Sequence, residues 1–165
     1  MKKLTLILAV AICLVLQSCG SAPADQKKDG KTNKTTNTKA DYKTKATGKV
    51  EYISYDDFVE RVSDPNSDSE YWEYRGDKSA IVDFTASWCG PCQQLSPVLD
   101  ALAQKYKGDI VIYKVDIDQE PELAQMFEVS VVPTLVFFPV GGEAFSNEGG
   151  LSRSEFESII EDELM

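Results

Sequence analysis

The sequence predicts a layered α/β domain over residues 49–165, with a central mixed β-sheet flanked by helices. Three observations predict it. Residues 80–84 (AIVDF) and 110–117 (IVIYKVDI) are almost uninterrupted apolar runs, which suit strands covered on both faces. Between them, Leu95, Val98, Leu99 and Leu102 recur at helical spacing over 91–107, so a helix joins the two strands as a parallel crossover. After residue 134 a strand, a Gly141-Gly142 turn and a second strand form an antiparallel hairpin, followed by a helix. Parallel crossovers plus a hairpin make the sheet mixed.

The elements follow in order. Val50 to Ile53 reads as a short strand. Tyr55 to Val62 is a short amphipathic helix, with Ser54 as N-cap and Asp56 and Asp57 in its first turn, where acids favour the helix dipole. Residues 64–77 form a polar, aromatic-containing connection whose latter part is expected to make a helical turn. In the 91–107 helix Pro97 should cause a kink, because proline has no N–H and crowds the preceding turn. Glu120 to Phe127 is a short helix with Pro121 in its first turn. Leu135–Phe138 and Glu143–Asn147 are the hairpin strands. Ser152-Arg153-Ser154-Glu155 is a capping box opening the last helix, whose apolar face is Phe156, Ile159, Ile160 and Leu164.

The formal net charge of −10 over 165 residues is unevenly spread. Residues 1–48 hold nine Lys and three Asp, whereas 49–165 hold eight Lys or Arg and 24 Asp or Glu. An acidic domain argues against nucleic acid as a partner, because phosphate contacts need a basic surface. The sequence has no His, which removes Ser-His-Asp and Cys-His nucleophiles. No organic-cofactor motif is visible, so no cofactor is expected.

Of four cysteines, only Cys89 and Cys92 fall within the domain. They form a C-x-x-C where the 80–84 strand gives way to a helix, a redox signature. Two intervening residues keep the sulfurs within bonding range. At the helix start, unpaired amides and the dipole stabilise a Cys89 thiolate. Cys89 should therefore be the exposed nucleophile, and Cys92, one turn further in, the shielded resolving thiol. A structural zinc site needs four ligands, and this domain offers two; no metal is expected. A purely structural disulfide over so short a loop would constrain the unfolded chain little.

Trp88-Cys89-Gly90-Pro91-Cys92 is the thioredoxin motif, and residues 80–165 resemble the thioredoxin family as a whole. Val82-Asp83-Phe84, Lys114-Val115-Asp116-Ile117-Asp118, Val132-Pro133-Thr134 and Glu148-Gly149-Gly150 fall in family order. The resemblance implies the thioredoxin fold and a protein-disulfide oxidoreductase acting on disulfide-containing proteins as a monomer. It implies that Asp83 is the buried acid behind Cys92, its pKa raised by burial so that it shuttles a proton, and that Lys114 lies beside it. It implies that Pro133 is a cis-proline facing the cysteines, with Val132 offering backbone hydrogen bonds to an extended partner. Trp88, Gly90, Pro91, Val132, Pro133 and Gly149 would line that groove, Gly149 and Gly150 keeping its rim open. Thr85 stands where many thioredoxins have Trp, and Gln93 where Lys is common, which touches partner choice and redox potential rather than the chemistry.

The N-terminus carries a different message. Met1-Lys2-Lys3 precedes 13 uncharged residues, Leu4–Leu16. That is short of the roughly 20 needed to span a bilayer and reads as an export signal. Leu16-Gln17-Ser18-Cys19 resembles a bacterial lipoprotein signal, implying residues 1–18 are removed and Cys19 is lipidated, anchoring the protein to the membrane in the periplasm. Residues 19–48 then form the lipidated Cys and a disordered tether, because their Lys, Thr and Asn cannot offset the entropy of ordering. The 29 residues after Cys19 would span about 30 Å as a flexible coil. The periplasm is oxidising, yet Gly90-Pro91 resembles reducing thioredoxins. A reductase recharged by a membrane electron donor is therefore expected. A dedicated reductant for cytochrome c maturation and a non-enzymatic binding module are the alternatives.

Overall fold

A computed structural model describes residues 44–64 and 72–165. The expectations for the export signal, Cys19 and most of the tether lie outside these residues. The elements are β1 (Val50–Tyr52), α1 (Tyr55–Arg61), β2 (Ser79–Thr85), α2 (Gly90–Lys105), β3 (Ile110–Asp116), α3 (Pro121–Met126), β4 (Thr134–Phe138), β5 (Phe145–Glu148) and α4 (Arg153–Ile159), the last continued by one π-helical turn, Ile160–Leu164.

The strands form one sheet in the order β1-β3-β2-β4-β5. β1 and β2 run parallel to β3, while β4 runs antiparallel to both β2 and β5. β2 takes the centre, and all seven of its residues are buried. Alternation splits its side chains. Ile81 joins Leu95, Leu99, Leu102, Phe137, Phe156 and Ile160 in a core that includes α2 and α4. Ala80, Val82 and Phe84 join Phe58, Leu123 and Phe138 in a core that includes α1 and α3.

Local chemistry sets the helix starts. The Asp57 amide and the Ser54 hydroxyl oxygen close a capping box with the Asp57 carboxylate and the Ser54 amide. Ser152 and Glu155 do the same at α4. Pro97 lies inside α2.

Three details differ from the sequence reading. The second hairpin strand begins at Phe145 rather than Glu143, because Pro139 has no amide to donate and the Val140 amide is diverted to Ser79 Oγ at 3.2 Å. The described latter part of the 64–77 connection makes no helical turn. Instead Trp72 stacks on Phe127 with centroids 4.3 Å apart, and Tyr74 stacks on Phe138. Aromatic burial therefore holds this stretch in an irregular conformation. Finally, α2 stops at Lys105, short of Lys107, because the chain turns at Gly108 (φ 96°) to enter β3.

Candidate active site

β2 ends at Thr85 and the chain turns through Ala86–Trp88 into α2. Thr85 is buried and its carbonyl accepts the Ile117 amide at 3.0 Å, linking the ends of β2 and β3. Gln93, at the other departure from the family pattern, donates from Nε2 to the Ser87 carbonyl at 2.9 Å and so braces the turn.

Cys89 is the N-cap of α2, and its Sγ accepts the Cys92 amide at 3.1 Å. The two cysteines form a disulfide with Cα atoms 5.3 Å apart. Cys92 is 1% exposed, as the sequence reading requires of a resolving thiol. Cys89 is 4% exposed rather than open to solvent. In the disulfide its sulfur is folded against Cys92, Ala86 and Val132, while Trp88, Gly90 and Pro91 around it are exposed. A partner thus meets Cys89 through a narrow opening between exposed neighbours.

The other side of that opening is the loop before β4. Val132–Pro133 is a cis peptide, and the Val132 carbonyl oxygen lies 3.6 Å from Cys89 Sγ. Gly149 (φ 87°) donates its amide to the Pro133 carbonyl at 2.8 Å, so the end of β5 is fastened beside the proline. Gly150 stands next to the same ring, its Cβ position 4.0 Å from Pro133 Cγ. Trp88 is 65% exposed, yet it is not loose, because Nε1 donates to Asp118 Oδ2 at 2.8 Å. Val131, also exposed, extends the apolar surface next to Val132.

Beneath the cysteines, Asp83 and Lys114 are direct partners across β2 and β3. Asp83 is fully buried, and Lys114 Nζ lies 3.2 Å from Asp83 Oδ2. Neither carboxylate oxygen has a hydrogen-bond partner of good geometry among the described residues. Burial raises the Asp83 pKa above the ordinary carboxylate range, and the charge of Lys114 together with its off-angle side-chain contact offsets only part of that. Lys114 Nζ donates at 2.7 Å to Ser96 Oγ, which in turn donates to the Cys92 carbonyl at 3.0 Å.

The structure therefore brings Trp88, Cys89, Gly90, Pro91, Cys92, Asp83, Lys114, Val132, Pro133 and Gly149 to one end of the sheet. Sequence reasoning missed Ser96 and Asp118. Ser96 was findable as the residue one helical turn after Cys92. Asp118 stands in the Lys114–Asp118 run, but its bond to Trp88 depends on strand-to-loop geometry that the run does not show.

Comparison with known proteins agrees with this geometry. The thioredoxin family model matches residues 53–162. The chain belongs to the thioredoxin family. The thioredoxin of Borreliella burgdorferi (strain ATCC 35210 / DSM 4680 / CIP 102532 / B31) is 44% identical over 110 residues, covering 67% of this chain and 93% of the relative. Among solved structures, chloroplastic thioredoxin z matches with a TM-score of 0.57 at 32% identity, over 68% of this chain and 92% of its own. The Malassezia sympodialis thioredoxin Mala s 13 matches with a TM-score of 0.56 at 30% identity, over 70% and 91%. This thioredoxin is a thiol–disulfide oxidoreductase, and Cys89 and Cys92 are the pair at disulfide distance.

Proposed function

We propose that this thioredoxin reduces protein disulfides in the bacterial cell envelope, held to the membrane by a lipid on Cys19. The observation that carries the reaction is Cys89 Sγ at the start of α2, where the Cys92 amide donates to it. In the reduced protein the same amide and the helix dipole stabilise a thiolate. That thiolate attacks one sulfur of a partner disulfide, and the partner's other sulfur leaves as thiolate. The Cys92 thiol then loses its proton to the Asp83 carboxylate, and its sulfur attacks Cys89 Sγ. The mixed disulfide breaks, the partner departs reduced, and Cys89–Cys92 is left oxidised. Two electrons have moved to the partner, and a dithiol donor at the membrane must return them by the reverse exchange.

The reducing direction is supported by what surrounds Cys89. A strongly oxidising pair needs a strongly stabilised thiolate. Here the sequence supplies no His, and Gln93 is neutral and bonded to Ser87. Between Cys92 and Pro133 the chain holds only the rest of α2, β3 and α3. No inserted helix and strand set it apart for cytochrome c maturation. The envelope placement is supported by the basic start, the 13-residue apolar run and Cys19.

An insulin-reduction assay with a dithiol donor tests the chemistry. Wild type should accelerate reduction and Cys89→Ser should fall to background, whereas equal behaviour would leave only a binding module. Cys92→Ser should accumulate mixed disulfides that identify the partners. A measured potential close to that of strong oxidants would reverse the direction. Palmitate labelling, lost in Cys19→Ala, tests the anchor.

A further inference from the structure

Ser96 has a place in this site that the cysteine chemistry has not used. It sits one turn after Cys92 on α2 and is half-buried. A hydroxyl has one proton and two lone pairs. Ser96 commits the proton to the Cys92 carbonyl at 3.0 Å, an i to i−4 bond that fixes its rotamer. Its lone pairs are left to accept, and Lys114 Nζ donates to one of them at 2.7 Å. The same ammonium stands 3.2 Å from Asp83 Oδ2 without hydrogen-bond geometry to it. The shorter, better-aligned contact is with the neutral hydroxyl.

We propose that Ser96 is a positioning residue that divides the Lys114 ammonium between itself and Asp83, holding that ammonium beside the carboxylate without letting it donate a full hydrogen bond. The inference rests on the reading of Asp83 as proton acceptor for Cys92. A carboxylate hydrogen-bonded by an ammonium is a poor base, because charge-assisted bonds favour the ionised form. A carboxylate with only a nearby positive charge keeps more of the basicity that burial gives it. Ser96 thus sets how readily Asp83 takes the Cys92 proton, and it ties that setting to the backbone of Cys92 itself.

The surroundings leave few other controls. Across the sheet, Asp83 faces Lys114 from β3 and Leu135 from β4. From α2, Ser96 contacts Lys114, and Cys92 on the same helix carries a titratable thiol when reduced. From β1, the Tyr52 ring stands 6.0 Å from Lys114 Nζ. Among the described residues, Lys114 is the charged side chain paired with Asp83, and these two are the buried charged groups.

The test is the Asp83 titration, followed by its carboxyl carbon resonance in the oxidised protein, where Cys92 does not titrate. In Ser96→Ala the ammonium loses its hydroxyl acceptor and turns to the carboxylate, so the Asp83 midpoint should move down. In Lys114→Met the charge is gone and the midpoint should move up. Ser96→Thr keeps a hydroxyl and should restore the wild-type midpoint. A role in merely supporting Lys114 predicts the opposite sign for Ser96→Ala, a weaker copy of Lys114→Met. An upward or absent shift in Ser96→Ala overturns the proposal. In the reduced protein, the pH dependence of mixed-disulfide release should move down with the Asp83 midpoint. If the titration moves and release does not, Ser96 still positions Lys114, and the acceptor role of Asp83 is what fails.

Discussion

The two faces of the sheet are built from the same strands and do different work. On the α1 and α3 face, Ala80, Val82 and Phe84 of β2 meet a lattice of rings. Phe127 contacts Phe58 at 5.3 Å, Phe84 at 5.2 Å and Trp72 at 4.3 Å. The charged side chains buried among the described residues, Asp83 and Lys114, both stand on the other face. On the α2 and α4 face, the alternating positions are Ile81 and then Asp83, with Ile112 and then Lys114 beside them. The buried charges on this face, Asp83 and Lys114, lie toward the end of the strands that leads into Cys89 and Cys92. A buried charge is costly without compensation, so one face serves cohesion and the other gives up some cohesion to hold the buried Asp83–Lys114 pair.

The largest way to test that division is Phe58→Ala. Phe58 is fully buried and touches Phe127 and Phe138 edge-on. Truncation of a buried Phe costs about 3–5 kcal/mol. Chemical denaturation should show that loss, while the redox potential of the folded variant stays at the wild-type value. A large change in potential would mean the two faces are coupled rather than specialised.

Asp83→Asn should have the opposite sign. The Asp83 pKa is raised in the folded protein from 3.8, burial outweighing the attraction of Lys114. Folding therefore binds a proton here that the unfolded chain releases. Its stabilising contribution is full below the unfolded pKa and is lost as pH rises through the higher folded value. Asn mimics the protonated acid at every pH, so the variant should match wild type in strong acid and become more stable as pH rises between the two pKa values. One proton limits the slope of that gain to about 1.4 kcal/mol per pH unit. A variant less stable than wild type at pH 8 would show that the stranded Lys114 charge outweighs the relieved carboxylate. Mixed-disulfide release should slow in the same variant.

The specialised face was also the more legible one in the sequence. A strand of AIVDF followed by WCGPC and a helical repeat fixes where Asp83, Cys89 and Cys92 must stand, because β-alternation and the helix start leave little choice. The capping boxes at Ser54 and Ser152 were legible for the same reason, being set by neighbours in the chain. Contacts between distant segments were not. Trp72 on Phe127, Trp88 Nε1 on Asp118 and Lys114 Nζ on Ser96 join residues brought together only by the strand order β1-β3-β2-β4-β5. The buried state of Cys89 was missed because helix position predicts a thiolate, whereas accessibility depends on the Val132 loop, 43 residues away.

The smallest effect concerns the rim of the groove, where two glycines face different demands. Gly149 has φ 87°, and a Cβ added there would meet no atom within 4 Å. Gly149→Ala should therefore lose about 1–2 kcal/mol through backbone conformation alone. Gly149→Asn should lose less, since Asn tolerates positive φ. Gly90 also has open space around it, but it stands in the first turn of α2 at an ordinary φ. Gly90→Ala should leave stability unchanged or raise it by up to about 1 kcal/mol. Thermal melts of the three variants rank them, with Ala at 149 lowest, Asn at 149 next and Ala at 90 highest. Equal losses for Ala and Asn at 149 would show that the amide held by Pro133, rather than the backbone angle, makes that position demanding. The fastening of β5 to the cis-proline loop would then itself hold the groove in shape.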